Sequence, residues 1–322
     1  MNPARDVSVV IPALESDTGL DACLEALSRQ SIRGRLEIIV SVDGEGPLED
    51  EPKAMADVVI YGRHAGPAAA RNRGWRTSAG RFVLFTDSDC VPERNWAEEL
   101  VRVLEEGADA VKGVYSGGGD ALIQRLAQLE FRERYGILAG RRRIDMVDTY
   151  SAGYRRSVLE RTGGFDESFP FPDHEDVELS YRMESMGMDM RFVPEAAVSH
   201  THRKTWSAYF AMKFSRGRWR MEVLRRFPAK AGSDSYTPRC LRLQLLLCLL
   251  LPVALALLPL SVVPAAAWAA LFLLSCIPLA VEAAGSAPEL LPLVPVFSLW
   301  RACALSAGMV RGILSGFGRK AK

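Results

Sequence analysis

The chain of 322 residues allows one large domain or two small ones, at roughly 150 residues each, with ample length for a buried core. Its 48% hydrophobic and 25% charged residues exclude disorder and collagen-like repeats. The formal net charge of +1 conceals three unlike regions, because residues 1–202 carry −11, residues 203–242 carry +9 and residues 243–322 carry +3.

In chain order, the first half alternates short β-branched runs with helical patterns, the signature of a parallel sheet covered on both faces. Strands are predicted at Val7–Leu14, Leu36–Asp43, Val58–Gly62, Phe82–Thr86 and Met190–Val198. Helices are predicted at about Asp17–Gln30, from Gly66-Pro67 to Gly80, at Ala121–Ala139 and at Asp176–Met186. Residues Met1 to Asp6 lead straight into the first strand with no n-region, h-region and cleavage site, so no signal peptide is expected. Cys23, Cys90, Cys240, Cys248, Cys276 and Cys303 show no C-x-x-C pair or zinc spacing, as expected for a reducing compartment.

Past His202, Trp206, Tyr209, Phe210 and Phe214 share a helical face among lysines and arginines, a pattern suited to an anionic membrane surface. No nucleic-acid fold accompanies it, so nucleic acid is not expected as a partner. Residues 243–281 contain no charged side chain over 39 positions. As a single helix they would run ~58 Å against a hydrocarbon core of ~30 Å. Two spans fit better, near Leu241–Leu258 and Val263–Val281, reversing at Pro259–Pro264. Basic residues on both sides predict that both ends face the cytoplasm. Residues 288–318 read as re-entrant or interfacial, because the apolar run Leu290–Trp300 is too short to span before Arg301 interrupts it.

The most informative window is Gly66–Pro92, where A-R-N-R-G on a helix is followed by an apolar strand that stops at Asp87-Ser88-Asp89. Carboxylates at the carboxyl end of a parallel strand lie where open α/β sheets bind ligands. Two hard oxygen donors one residue apart suit a divalent cation that also takes phosphate oxygens. A second block, Asp148–His200, contains E-D-V-E-L after G-G-F-D-E. In this block Glu175 and Glu178 read as helix-capping residues, and Asp176 has either that role or a catalytic one.

Together these blocks resemble glycosyltransferase family 2, the inverting nucleotide-sugar transferases of GT-A fold, over about residues 6–220. The resemblance implies a Rossmann-like α/β domain over 1–202, with a mostly parallel sheet and helices on both faces. Its nucleotide-sugar half would occupy about 1–115 and its acceptor half 116–202. A basic interfacial segment (203–242), a C-terminal transmembrane hairpin (243–281) and an interfacial helix with a basic tail (282–322) would follow. The resemblance places Pro12, Ala13, Glu15, Asp43, Arg71, Asp87 and Ser88 on the nucleotide-sugar side. It assigns Asp89 and His200 to a divalent cation, Mg2+ or Mn2+, and Asp176 to the catalytic base. Leu14 and Val42 stand where the family often has an aromatic residue and a first aspartate. Ser215-Arg216-Gly217-Arg218-Trp219 keeps only the Arg-Trp of the Q-x-x-R-W of processive synthases, so single-sugar transfer to a lipid-linked or glycan acceptor at the cytoplasmic (inner) membrane is expected. Two other readings stay open, a polyprenyl-phosphate sugar synthase and a non-catalytic membrane scaffold or nucleotide-sugar sensor. A nicotinamide-dependent oxidoreductase is disfavoured by the missing G-x-G-x-x-G.

Overall fold

The computed structural model describes residues 5–14, 17–46, 54–169, 171 and 173–316. The chain forms two compact units, one from residues 1–118 with 138–201 and the other from 119–137 with 202–322. The helix predicted at Ala121–Ala139 therefore folds mainly with the second unit, although its sequence lies within the first 202 residues.

The first unit is built on one sheet of order β3-β2-β1-β4-β7-β6-β8-β5. The strands β1 (Val7–Ala13), β2 (Leu36–Asp43), β3 (Val58–Gly62) and β4 (Phe82–Phe85) run parallel, within a residue of their predicted bounds. Every residue of β1 is buried, as expected of a strand covered on both faces. The helices of this unit are α1 (Leu20–Ser28), α2 (Pro67–Thr77), α3 (Trp96–Glu105), α5 (Arg156–Thr162) and α6 (Glu175–Ser185). The sheet turns antiparallel at β7 (Ala152–Arg155), which lies between β4 and β6 (Ala110–Gly117). The strand β6 in turn pairs parallel with β8 (Met190–His200), whose other edge holds β5 (Cys90–Pro92) antiparallel. Sequence pattern misses β6, because A-V-K-G-V breaks its apolar run with a lysine and a glycine. Both have structural reasons. Lys112 is fully buried and paired, and a Cβ on Gly113 would stand 2.0 Å from the Ala196 carbonyl oxygen, where the register between β6 and β8 shifts.

The second unit is helical, with α4 (Leu122–Ala139), α7 (Trp206–Arg226), α8 (Arg239–Ala256), α9 (Val263–Ser275), α10 (Ile277–Ser286) and α11 (Val294–Gly316). Its core includes Ile123, Leu126, Tyr209, Leu247, Phe272, Leu279, Val294 and Phe297. Among the described residues, Arg239–Ala256 and Pro288–Ser315 are each long and apolar enough to cross a membrane. Two expectations change here. The second predicted span is broken into α9 and α10, bent by 42°, because Pro278 at the start of α10 has no N–H to continue the helical ladder. The segment 288–318, expected to be cut short at Arg301, instead carries a continuous apolar helix. Arg301 is completely buried and donates from Nη2 to Gln244 Oε1 at 3.0 Å. Its Nη1 lies 3.8 Å from Glu130 and 3.9 Å from Glu133, carboxylates about 170 residues upstream that local sequence could not supply.

Part of the aromatic face of α7 is used in internal packing. Tyr209 packs on Phe297, and Trp206 and Phe210 on Trp300, so these rings are used within the helical unit. His202 is buried there too, bonded through Nε2 to Gln128 Oε1 at 2.9 Å and stacked on Phe131.

Candidate active site

The carboxyl ends of β1, β2 and β4 define the site, where parallel strands direct their last residues into a crevice. Beyond β4 the chain exposes Asp87 (side chain 32% exposed) and Asp89 (59%). The intervening Ser88 is buried and donates its hydroxyl to the Asp17 carboxylate. The antiparallel pairing of β5 with β8 sets Cys90 opposite His200 and brings His200 Nε2 within 3.3 Å of Asp89 Oδ2. The imidazole stacks on Tyr115 at 4.9 Å, and Tyr115 stacks on Tyr150 at 3.6 Å. Burial pushes the Asp89 carboxyl up, but its bond to His200 outweighs this and holds it below the usual carboxylate range.

The helix α2 explains the A-R-N motif. Arg71 is 3% exposed and forms two ion pairs of 2.7 Å, Nη2 to Asp87 Oδ1 and Nη1 to Glu175 Oε1. Burial opposes its charge, yet the two carboxylates outweigh burial and raise its pKa. Asn72 Nδ2 donates to the Phe165 carbonyl (2.8 Å) and to Glu167 Oε1 (2.7 Å), while its Oδ1 accepts from Phe165 N (2.9 Å) and Trp75 Nε1 (3.0 Å). The G-G-F-D-E loop is thereby fastened to α2. Gly164 permits the approach, with φ of 80° and a site where a Cβ would stand 2.4 Å from Asn72 Oδ1.

The helix α6 begins behind His174, a non-glycine residue at φ 70°, the kind of backbone strain that collects at functional positions. Glu175 points into the Arg71 pair, and Asp176 beside it is half-buried. Burial first, then Glu175 and then Asp148, push the Asp176 carboxyl up to about 8. Glu175 is raised as well, chiefly by burial.

The remaining expected positions are placed as follows. Pro12 and Ala13 close β1 beside Ser41 and Val42. Asp43 uses both carboxylate oxygens on backbone amides at the entry to α2, Ala65 N at 2.8 Å and Gly66 N at 2.9 Å. Glu15 lies outside the described residues. Sequence reasoning left Glu175 as a helix cap and did not weigh Asn72, Lys112 or Tyr154. The A-R-N and E-D pairs were visible as text, but nothing local links residue 71 to residue 175.

Ligand-capable atoms of Asp87, Asp89 and Cys90 lie within 4.8 Å of one another. The buried Cys90 thiol is raised well above its usual range by burial and by both aspartates. The two aspartates supply a hard oxygen donor set of the kind that fits Mg2+ or Mn2+.

A parallel half ending in paired carboxylates, continued by a mixed half that brings an acidic helix start to the same crevice, is the GT-A arrangement. The chain belongs to the glycosyltransferase-like family 2, whose model matches residues 3–221. It is 32% identical over 221 residues to a pre-mycofactocin glycosyltransferase of Mycobacterium tuberculosis, a match covering 65% of this chain and 45% of that protein. It is 26% identical over 170 residues to an undecaprenyl-phosphate 4-deoxy-4-formamido-L-arabinose transferase of Serratia proteamaculans, covering 50% and 52%. In fold it is similar to the mannosyltransferase PcManGT of Pyrobaculum calidifontis, solved in complex with GDP-Man and Mn2+. That likeness has a TM-score of 0.60 at 20% identity and covers 96% of this chain and 87% of the other. The chain spans less than half the length of its mycobacterial relative.

Proposed function

We propose that the protein is an inverting glycosyltransferase that moves one sugar from a nucleotide diphosphate donor to a lipid-linked or membrane-proximal acceptor, at the cytoplasmic face of a membrane. The observation that carries this reading is the Arg71 bridge. One buried guanidinium ties Asp87, on the donor side, to Glu175, the neighbour of Asp176, so that donor carboxylates and base are held as one rigid set. Pro12, Ala13, Asp43 and Asp87 would line the nucleotide side, with Asp43 shaping the loop into α2. Asp176 would accept the acceptor hydroxyl's proton as that oxygen attacks the anomeric carbon and the nucleoside diphosphate leaves from the opposite face. A divalent cation would be held by Asp89 and Asp87, with His200 adjoining, and when bound supplies positive charge against the diphosphate leaving group.

The test is nucleoside diphosphate release by detergent-purified protein from UDP- and GDP-sugars with lipid-linked acceptors. Activity is expected to require Mg2+ or Mn2+, and Asp176→Asn is expected to lose roughly 10²- to 10⁴-fold in turnover while still binding donor. Unimpaired turnover by Asp176→Asn would overturn the mechanism, and activity after thorough chelation would remove the cation from it. A second reading, a polyprenyl-phosphate sugar synthase, is favoured by the undecaprenyl-phosphate relative. Its acceptor phosphate is already ionised and needs no base, so transfer to lipid phosphate that survives Asp176→Asn identifies it.

A further inference from the structure

Lys112 is a cation in the middle of a sheet. It lies in β6 with no solvent exposure, and its Nζ donates to Asp148 Oδ2 and to the Tyr150 hydroxyl at 3.0 Å, over the Tyr150 ring. Stability alone does not call for it. Well-packed apolar side chains commonly replace a buried ion pair at no loss, and β6 is already hydrogen-bonded to β7 and β8. What the pair adds is charge at a chosen place, and that place is behind Asp176. The residue before Asp148, Val147, donates its N–H to Ser180 Oγ at 2.9 Å, and the same hydroxyl donates to the Asp176 carbonyl at 2.6 Å. The segment carrying Asp148 is thus fastened to the first turn of α6. Tyr154 on β7 is fully buried, and its hydroxyl has no hydrogen-bond partner. It lies within electrostatic reach of Asp176, Arg71, Asp148 and Glu175.

We propose that Lys112 and Asp148 form a positioning pair for Asp176, in which the ammonium compensates the Asp148 carboxylate and so sets the charge that the base experiences. The proposal rests on the reading of Asp176 as the base. The groups facing Asp176 are Glu175 on its own helix, Arg71 from α2, and Asp148 and Tyr154 from the segment that enters and forms β7. Arg71 is already shared between Asp87 and Glu175. Asp148 is therefore a negative neighbour with a separate counter-ion, and the size of its effect on Asp176 depends on Lys112.

The experiment is an infrared difference titration of the full chain in detergent with a chelator, following the protonated-carboxyl band that Asp176→Asn removes. In the wild type that band is expected to titrate at about pH 8. Asp148→Asn should lower its midpoint by on the order of one pH unit, Lys112→Met should raise it, and Lys112→Met with Asp148→Asn should fall between the two single variants. Thermal melts report folding. If Lys112→Met or Asp148→Asn does not fold, the double variant, which removes both charges together, decides the matter by titrating below the wild type. A midpoint unmoved by Asp148→Asn overturns the positioning role. Turnover by Asp176→Asn is measured separately. If it is lost and the band does not move, the positioning role alone falls, whereas retained turnover overturns the base reading and with it the role of the pair.

Discussion

Asp176 gains its chemistry from its neighbours. A carboxyl pushed up to about 8 by burial, Glu175 and Asp148 must be deprotonated to act as a base, so kcat/KM is expected to rise with pH through that value. Replacing Glu175 with glutamine removes the larger of the two carboxylate contributions and should move the acid limb of the pH–rate profile to lower pH. It also deprives Arg71 of a partner, so some activity is lost at the optimum. The same shift has a stability consequence of fixed sign. Because the folded pKa lies above the unfolded value near 3.8, the folded state binds the extra proton between roughly pH 4 and 8, and the group's contribution becomes less favourable as pH rises through that window. At pH 8 Asp176→Asn should therefore unfold later than the wild type, by on the order of 1–2 kcal/mol in denaturant titrations. An inactive variant that gains stability marks a residue held for function. The places of Asp87 and Asp89 after a strand and of Asp176 at a helix start were legible in the sequence, because strand and helix patterns fix them. Lys112 was not, since a lysine in a short run reads as surface until its partner, 36 residues away, is folded against it.

At the level of elements, the site depends on how α2 grips the turn before α6. Asn72 satisfies both the N–H and the carbonyl of Phe165, and Asn72→Ala would leave those buried groups and the Trp75 indole unpaired. With about 1–3 kcal/mol for each of these buried groups left unsatisfied, a loss of at least ~3 kcal/mol is expected, and chemical denaturation measures it directly. The loss should be accompanied by a fall in kcat, because the loop fastened by Asn72 leads into α6. The parallel strands were readable from their β-branched runs. The strand β7 is only Ala152–Arg155, too short for a periodic signal, and β6 interrupts its own pattern with Lys112 and Gly113. Helix continuity was harder still, because Arg301 breaks an apolar run in the text, and the carboxylates of Glu130 and Glu133 that balance it and the Gln244 amide it donates to lie far away in sequence. That cluster is itself testable. Glu130 is held ionised, since burial raises its carboxyl but Arg134, Lys213 and Arg301 outweigh it. Glu130→Ala would take the carboxylate partner from the buried Lys213 and one of the carboxylates near Arg134 and Arg301, at an expected cost of ~3–5 kcal/mol, seen as a lower melting temperature in detergent.

At the scale of the whole chain, the near-zero net charge separates into an acidic domain and a basic, apolar C-terminal part, and the helical unit gives that division a geometry. Gln244, near the start of α8, bonds to the Ser275 carbonyl at the end of α9, and Trp268 Nε1 reaches the Leu247 carbonyl, so α8 and α9 form an antiparallel hairpin. Its apex is apolar and open, with Leu260 84% exposed. The polar cluster around Arg301 and Gln244 lies at the opposite, lower end. The 18 residues of α8, Arg239–Ala256, run ~27 Å, against a hydrocarbon thickness of ~30 Å. That shortfall is of a size that bilayers absorb by local thinning. With Arg239 and Arg242 at the start of α8, the positive-inside bias would put that end in the cytoplasm and the apex at the far surface. In intact cells, a cysteine-free variant carrying Leu260→Cys should react with a membrane-impermeant maleimide added from outside. Labelling only after permeabilisation would make the hairpin re-entrant.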